Sequence, residues 1–108
     1  MLILLDNNAP RGLAPALIGH IVTEARERGW SALKNGELLD AAEEAGFDVM
    51  VTSDKNIKYQ QNLGGRKTAL VVLTQGRWGL IRRKLAEIAA AVNAATSGSY
   101  TEVDIPSS

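Results

Sequence analysis

The chain has no cysteine and one histidine, His20. The first absence excludes disulfide frameworks, thiolate zinc sites and cysteine nucleophiles. The second leaves too few imidazoles for a histidine-rich metal centre or a serine–histidine triad. Any chemistry therefore falls to carboxylates, hydroxyls and amides. No apolar run approaches the roughly 18 to 20 residues that span a bilayer. The chain opens on a core strand rather than a charged segment with a cleavage site, so the expectation is a cytoplasmic protein with no membrane contact. Internal repeats, linkers and low-complexity segments are also lacking, and 108 residues suit a single domain over residues 1–108 with one core.

The formal net charge is zero, yet its distribution is uneven. Residues 1–54 carry 4 basic and 9 acidic side chains, and residues 55–108 carry 8 and 3. An acidic pocket bordered by a basic surface suits a metal-dependent site acting on a polyanion.

The stretch 35–63, NGELLDAAEEAGFDVMVTSDKNIKYQQNL, organises the rest. Asn35 is a good N-cap for a helix over Gly36–Ala45 that buries Leu38, Ala42 and Ala45. Glu37 stands in its first turn, where the helix dipole alone favours an acid. Asp40, Glu43 and Glu44 read as a solvated face. Gly46 ends the helix and Phe47 anchors the turn into an apolar strand, DVMVT over 48–52, followed by Ser53 and Asp54. A matching strand, LILLD over 2–6, opens the chain and ends in Asp6. Both runs are continuous rather than alternating, as in strands buried on both faces of a parallel sheet. If they are neighbours, Asp6 and Asp54 meet at the carboxyl edge, where α/β proteins place their sites. Two unit charges about 4 Å apart repel by roughly 4 kcal/mol at an effective dielectric of about 20. A divalent cation removes that repulsion.

Between and beyond these strands, Pro10–Leu17 predicts a short helix ended by Gly19. His20–Ala25 predicts a strand with Ile21 and Val22 buried, His20 being structural. Residues 26–34 predict an irregular loop with Trp30 as a lid over the core. Ala69–Leu73 is a further parallel strand. Ile81, Leu85, Ile88 and Val92 mark one long amphipathic helix over 78–95, with Arg82, Arg83 and Lys84 near its start. Tyr100–Ile105 alternates as a half-buried edge strand stopped by Pro106.

With strand-terminal Asp6, helix-borne Glu37 and the TSDKN segment in place, the sequence resembles the PIN-like family of small proteins, compact relatives of PIN nuclease domains. The resemblance runs through LLDNNAP, the 35–63 segment, VVLTQGRW and YTEVDIP. It implies a three-layer α/β sandwich with a mostly parallel central sheet, Rossmann-like in outline. It also implies a carboxylate cluster that holds Mg²⁺ or Mn²⁺ and cuts RNA, often in a toxin paired with a small antitoxin protein, and a homodimer is within its scope. Carried over by position, Asp6, Glu37 and Asp54 are the catalytic and metal-binding acids. Asn7, where close relatives carry glutamate, adds an uncharged carbonyl to the metal set. Hydrolysis of a phosphodiester needs only hard oxygen ligands and water, so the lack of histidine is no obstacle. Lys55, Lys58, Arg82 and Arg83 would position phosphates and Tyr59 would stack a base.

Two other readings use the same residues. A binding module would keep the fold and use the acidic edge to meet a basic partner. A phosphoacceptor receiver would use Asp54 and Thr74 after successive strands, but it calls for an acidic pair where this chain has Asp6-Asn7, and for a lysine after the last strand.

Overall fold

The computed structural model describes residues 1–54 and 65–107. The expected Lys55, Lys58 and Tyr59 contacts lie outside that range. In chain order come β1 (Leu2–Leu5), a 3₁₀ helix (Arg11–Ala16), β2 (Ile21–Glu24), a 3₁₀ turn (Ala25–Arg28), α1 (Asn35–Glu44) and β3 (Val49–Thr52). They are followed by β4 (Ala69–Leu73), α2 (Trp78–Ile81), a 3₁₀ turn (Arg82–Lys84), α3 (Leu85–Ala94) and β5 (Tyr100–Val103). The five strands form one sheet in the order β2-β1-β3-β4-β5, every neighbouring pair parallel.

Successive side chains of a strand point to opposite faces, so the sheet sorts its residues by alternation. Ile3, Leu5, Val49, Val51, Val71 and Leu73 face one layer, where Leu13, Ile81, Ile88 and Val92 cover them. Leu4, Met50, Leu70 and Val72 face the other, under Leu38, Leu39, Ala42 and Phe47. The result is a three-layer α/β sandwich with β1, β3 and β4 at its centre.

Several boundaries differ from the sequence-based expectation. The Pro10–Leu17 helix is a 3₁₀ helix over Arg11–Ala16, because Pro15 inside it has no N–H to give an α-helical ladder. Part of the loop after β2 is the turn Ala25–Arg28, closed by a capping box between Glu24 and Glu27. Ile21 is not buried: it is 66% exposed, on the outermost strand and outside both core clusters, while Val22 is half-buried. Helix α1 starts at Asn35, so Lys34 takes the cap position, without a side-chain cap bond. At its other end the Phe47 N–H reaches Ala42 O and the Gly46 N–H reaches Glu43 O, with Gly46 at φ 83°. That is a Schellman closure, and it needs the glycine. Leu38 and Ala42 are buried as anticipated, joined by Leu39, whereas Ala45 is half-buried.

The long helix expected over 78–95 is broken. Three adjacent cations, Arg82–Lys84, form a 3₁₀ turn, and Lys84 at φ −120°, ψ 21° leaves helical geometry. Ile81, Ile88 and Val92 stay buried on either side of the break, and Leu85 at the junction is half-buried. Trp30 packs edge-on against Phe47, with ring centroids 6.1 Å apart, as a lid on the α1 layer. Among the described residues no helix is long and apolar enough to cross a membrane.

Candidate functional site

Strands β1 and β3 lie side by side, and the Asp6 N–H continues their ladder by donating to Val51 O at 2.9 Å. This sets Asp6 beside Thr52. Because side chains alternate, Leu4 and Asp6 face the α1 layer together, as do Met50 and Thr52, and Asp54, two residues past the end of β3, shares a cavity with Asp6. Parallel pairing thus brings two carboxylates to one place on the carboxyl edge. In a sheet of order 2-1-3-4-5 that place, between β1 and β3, is the topological switch point where α/β folds bind ligands.

Asp6 is 7% exposed. Its Oδ1 accepts the Asn7 N–H at 2.6 Å, and its Oδ2 accepts the Thr52 hydroxyl at 2.5 Å. Thr52 Oγ1 in turn accepts the Asp54 N–H at 3.1 Å. Burial pushes the Asp6 carboxyl above its ordinary range, the nearby Asp54 charge adds to that rise, and the hydrogen bonds from Thr52 and the Asn7 and Asn8 amides only partly oppose it.

A cavity of about 270 Å³ opens on this pair, lined by Asp6, Asn7, Asn8, Ser31, Leu33, Lys34 and Asp54. Its far wall comes from the segment leading into α1. Asn7 ties that wall down: its Nδ2 donates to Trp30 O and Ser31 O, both at 3.3 Å. The Ser53 hydroxyl donates to Asn8 O at 2.9 Å and ties the segment after β3 to the one after β1.

The other expected residues lie elsewhere. Glu37 is exposed in the first turn of α1 and does not line the cavity. Among the described residues no three His, Asp or Glu side chains converge as a metal-holding group, so Glu37 does not complete a cluster with Asp6 and Asp54. Arg82 and Arg83 are exposed between α2 and α3, away from the cavity lining. Lys34, Ser31 and Asn8 were not anticipated. Lys34 was within reach of sequence reasoning: a helix that follows β2 and precedes parallel β3 must start at the carboxyl edge, so its cap position faces the site.

The donor set consists of hard oxygens. Mg²⁺ is commonly held by one or two carboxylates with the remaining positions left to water and substrate, so Asp6 and Asp54 fit one such ion. Asp6 retains lone pairs beyond the hydrogen bonds it accepts from Thr52, Asn7 and Asn8. A pair of ions clamped by three carboxylates does not fit, since among the described residues only Asp6 and Asp54 bring carboxylates to the cavity.

Acids at the opposite edge are already engaged. Glu43 accepts the Lys67 and Thr68 N–H groups at 2.6 and 3.0 Å, and Asp48 accepts the Leu2 N–H at 2.8 Å. They tie loops to strands and leave the Asp6–Asp54 edge as the candidate site. Searches with the chain find no matching family model, no matching curated protein and no matching solved structure.

Proposed function

We propose that the chain is a divalent-metal-dependent ribonuclease of PIN-like type, with Asp6 and Asp54 as the acids that hold the ion. The observation that supports this most is the buried Asp6 set close to Asp54 at the switch point. A desolvated carboxylate near a like charge costs folding energy, and a hard cation compensates both groups. When bound, Mg²⁺ or Mn²⁺ would supply positive charge to the phosphoryl oxygens and to the attacking water.

The chain's own groups do the remaining work. Thr52 and the Asn7 amide hold the Asp6 carboxylate in one rotamer. Asp54 is half-buried and faces the cavity mouth, where it can orient water. Lys34 lines the same cavity and offers a cation to a phosphate oxygen. Water adds to phosphorus and gives up a proton to solvent, the bond from phosphorus to the ribose oxygen breaks with its pair on that oxygen, and a solvent proton neutralises it. A small antitoxin and a homodimer belong to the same proposal; Ile18 before β2 and Ile21 on it, 86% and 66% exposed, offer apolar surface to such partners.

The test is cleavage of single-stranded RNA with Mg²⁺ or Mn²⁺ against EDTA. Asp6→Asn and Asp54→Asn should abolish it and Glu37→Gln should not. Cleavage that survives either aspartate change, or none with either ion, overturns the reading. RNA binding without cleavage in any metal would favour the binding module instead.

The strand order favours one further reading, since phosphoacceptor receivers share 2-1-3-4-5 and Thr74 follows β4 as such a site requires. Asp54 would attack the phosphorus of acetyl phosphate and release acetate. Asp104, not lysine, follows β5, which places this reading second. Covalent labelling by acetyl phosphate that is lost in Asp54→Asn would reverse the order.

A further inference from the structure

Trp78 lies with its indole across the backbone of Gly12: a Cβ at position 12 would sit 2.4 to 2.8 Å from three carbons of the benzo ring. The missing side chain makes the seat. Trp78 is nevertheless 40% exposed, while Ile81 in the same helix is fully buried. The residue is thus seated on Gly12 and still open to solvent. Arg77 precedes it and Arg82 follows one helical turn later, on the same side. Both are exposed, and neither forms an ion pair among the described residues.

This surface adjoins the Asp6–Asp54 cavity. A Cβ on Gly76 would meet Ser53 Oγ at 2.9 Å and Asn8 O at 3.4 Å, and Asn8 lines the cavity. Only Arg77 separates Gly76 from Trp78, two steps spanning at most about 7 Å of chain. The cavity opens toward the α1 layer and Trp78 toward the α2–α3 layer, so the path between them crosses the carboxyl edge over Asn8 and Gly76.

We propose that Trp78, with Arg77 and Arg82, is a platform for one unpaired base and its flanking phosphates, in a single-stranded RNA that crosses this edge into the Asp6–Asp54 cavity. The inference rests on the nucleic-acid reading of that cavity. An exposed indole offers its face to any unstacked base, and adjacent arginines meet the backbone charge. Bases in a duplex are already stacked and gain nothing from it.

The test is a binding titration of the full chain in EDTA, in a Trp30→Phe background so that Trp78 is the sole indole. A short oligouridylate should quench its emission saturably, and a duplex of equal length should not. Trp78→Ala should weaken binding about tenfold, with Trp78→Phe restoring most of it. Arg77→Ala with Arg82→Ala, which removes only exposed groups, should weaken binding and flatten its salt dependence by roughly 0.7 per lost phosphate contact. Unchanged emission, or parent-like binding by both the Trp78→Ala and the double-arginine variants, overturns the platform. Quenching by an oligomer that no metal ion causes to be cut would leave the platform standing and remove the nuclease reading. Cleavage and binding indifferent to Trp78 would do the reverse.

Discussion

Thr52 and Asp6 are joined across the β1–β3 boundary by a hydroxyl-to-carboxylate hydrogen bond of 2.5 Å, and the same Thr52 oxygen accepts the Asp54 N–H at 3.1 Å. One hydroxyl therefore fixes both acids. Thr52→Val keeps the β-branched shape a strand prefers but leaves a buried carboxylate oxygen and an amide without that partner. It should cost about 1–3 kcal/mol in urea unfolding, whereas Thr52→Ser should stay near the parent. Equal stability of the valine variant would mean that the hydroxyl holds neither group.

The raised Asp6 carboxyl makes a signed prediction for pH. In the window from its ordinary 3.8 up to the folded value, the native state binds more protons than the unfolded chain. Stability contributed by this group is therefore lost as pH rises through that window. Asp6→Asn removes the loss, and its amide can still accept from the Asn7 N–H while donating to Thr52. The urea midpoint of Asp6→Asn minus that of the parent should rise across the window and level off above it. A difference that falls with pH would contradict the burial argument.

A bound cation would act on the same balance. Mn²⁺ at about a hundred times its dissociation constant adds roughly 2.7 kcal/mol to the folded state, enough to move the melting temperature by several degrees. Asp54→Asn should raise the metal-free melting temperature and erase the Mn²⁺ effect. Glu37→Gln should leave the effect intact, because Glu37 does not line the cavity. Loss of the shift in Glu37→Gln would bring that residue back into the site.

Glu43 should behave in the opposite sense to Asp6. The Thr68 amide above all, with help from Lys67, holds its carboxyl below the ordinary 4.5. Its contribution is present above that value and is lost as pH falls through the folded one. Glu43→Gln can accept only one of the two amide bonds well, and for a group this exposed the cost at neutral pH is about 1 kcal/mol. Scanning calorimetry at pH 7 and pH 3 should find the difference shrinking at the lower pH.

Asn7 straps the wall of the cavity to β1 through two backbone carbonyls. Asn7→Glu replaces the donor with a carboxylate facing those carbonyl oxygens. It should lower the melting temperature both with and without Mn²⁺, because two hydrogen bonds are lost, each worth about 0.5–1.5 kcal/mol at most for carbonyls that water can reach. A variant that is instead stabilised by metal more than the parent would restore position 7 to the ligand set.

Continuous apolar runs over 2–5, 49–52 and 69–73 were enough to specify buried parallel strands, because such strands shed polar residues from both faces. An acid after each of the first two then had to stand at the carboxyl edge. What the sequence alone did not contain was strand order. Only the pairing of β1 with β3 makes Asp6 and Asp54 neighbours, and only the register of that pairing sets Asp6 beside Thr52. Glu37, legible as a first-turn acid, stays outside because its direction depends on how α1 rotates to bury Leu38, Leu39 and Ala42. Ile21 reads as core by its hydrophobicity, and its place on the outermost strand exposes it. The stripe Ile81, Leu85, Ile88 and Val92 spelled one helix, yet the chain bends at Lys84. Periodicity records which side chains must be buried; the sheet decides at what angle each half of the helix must meet it.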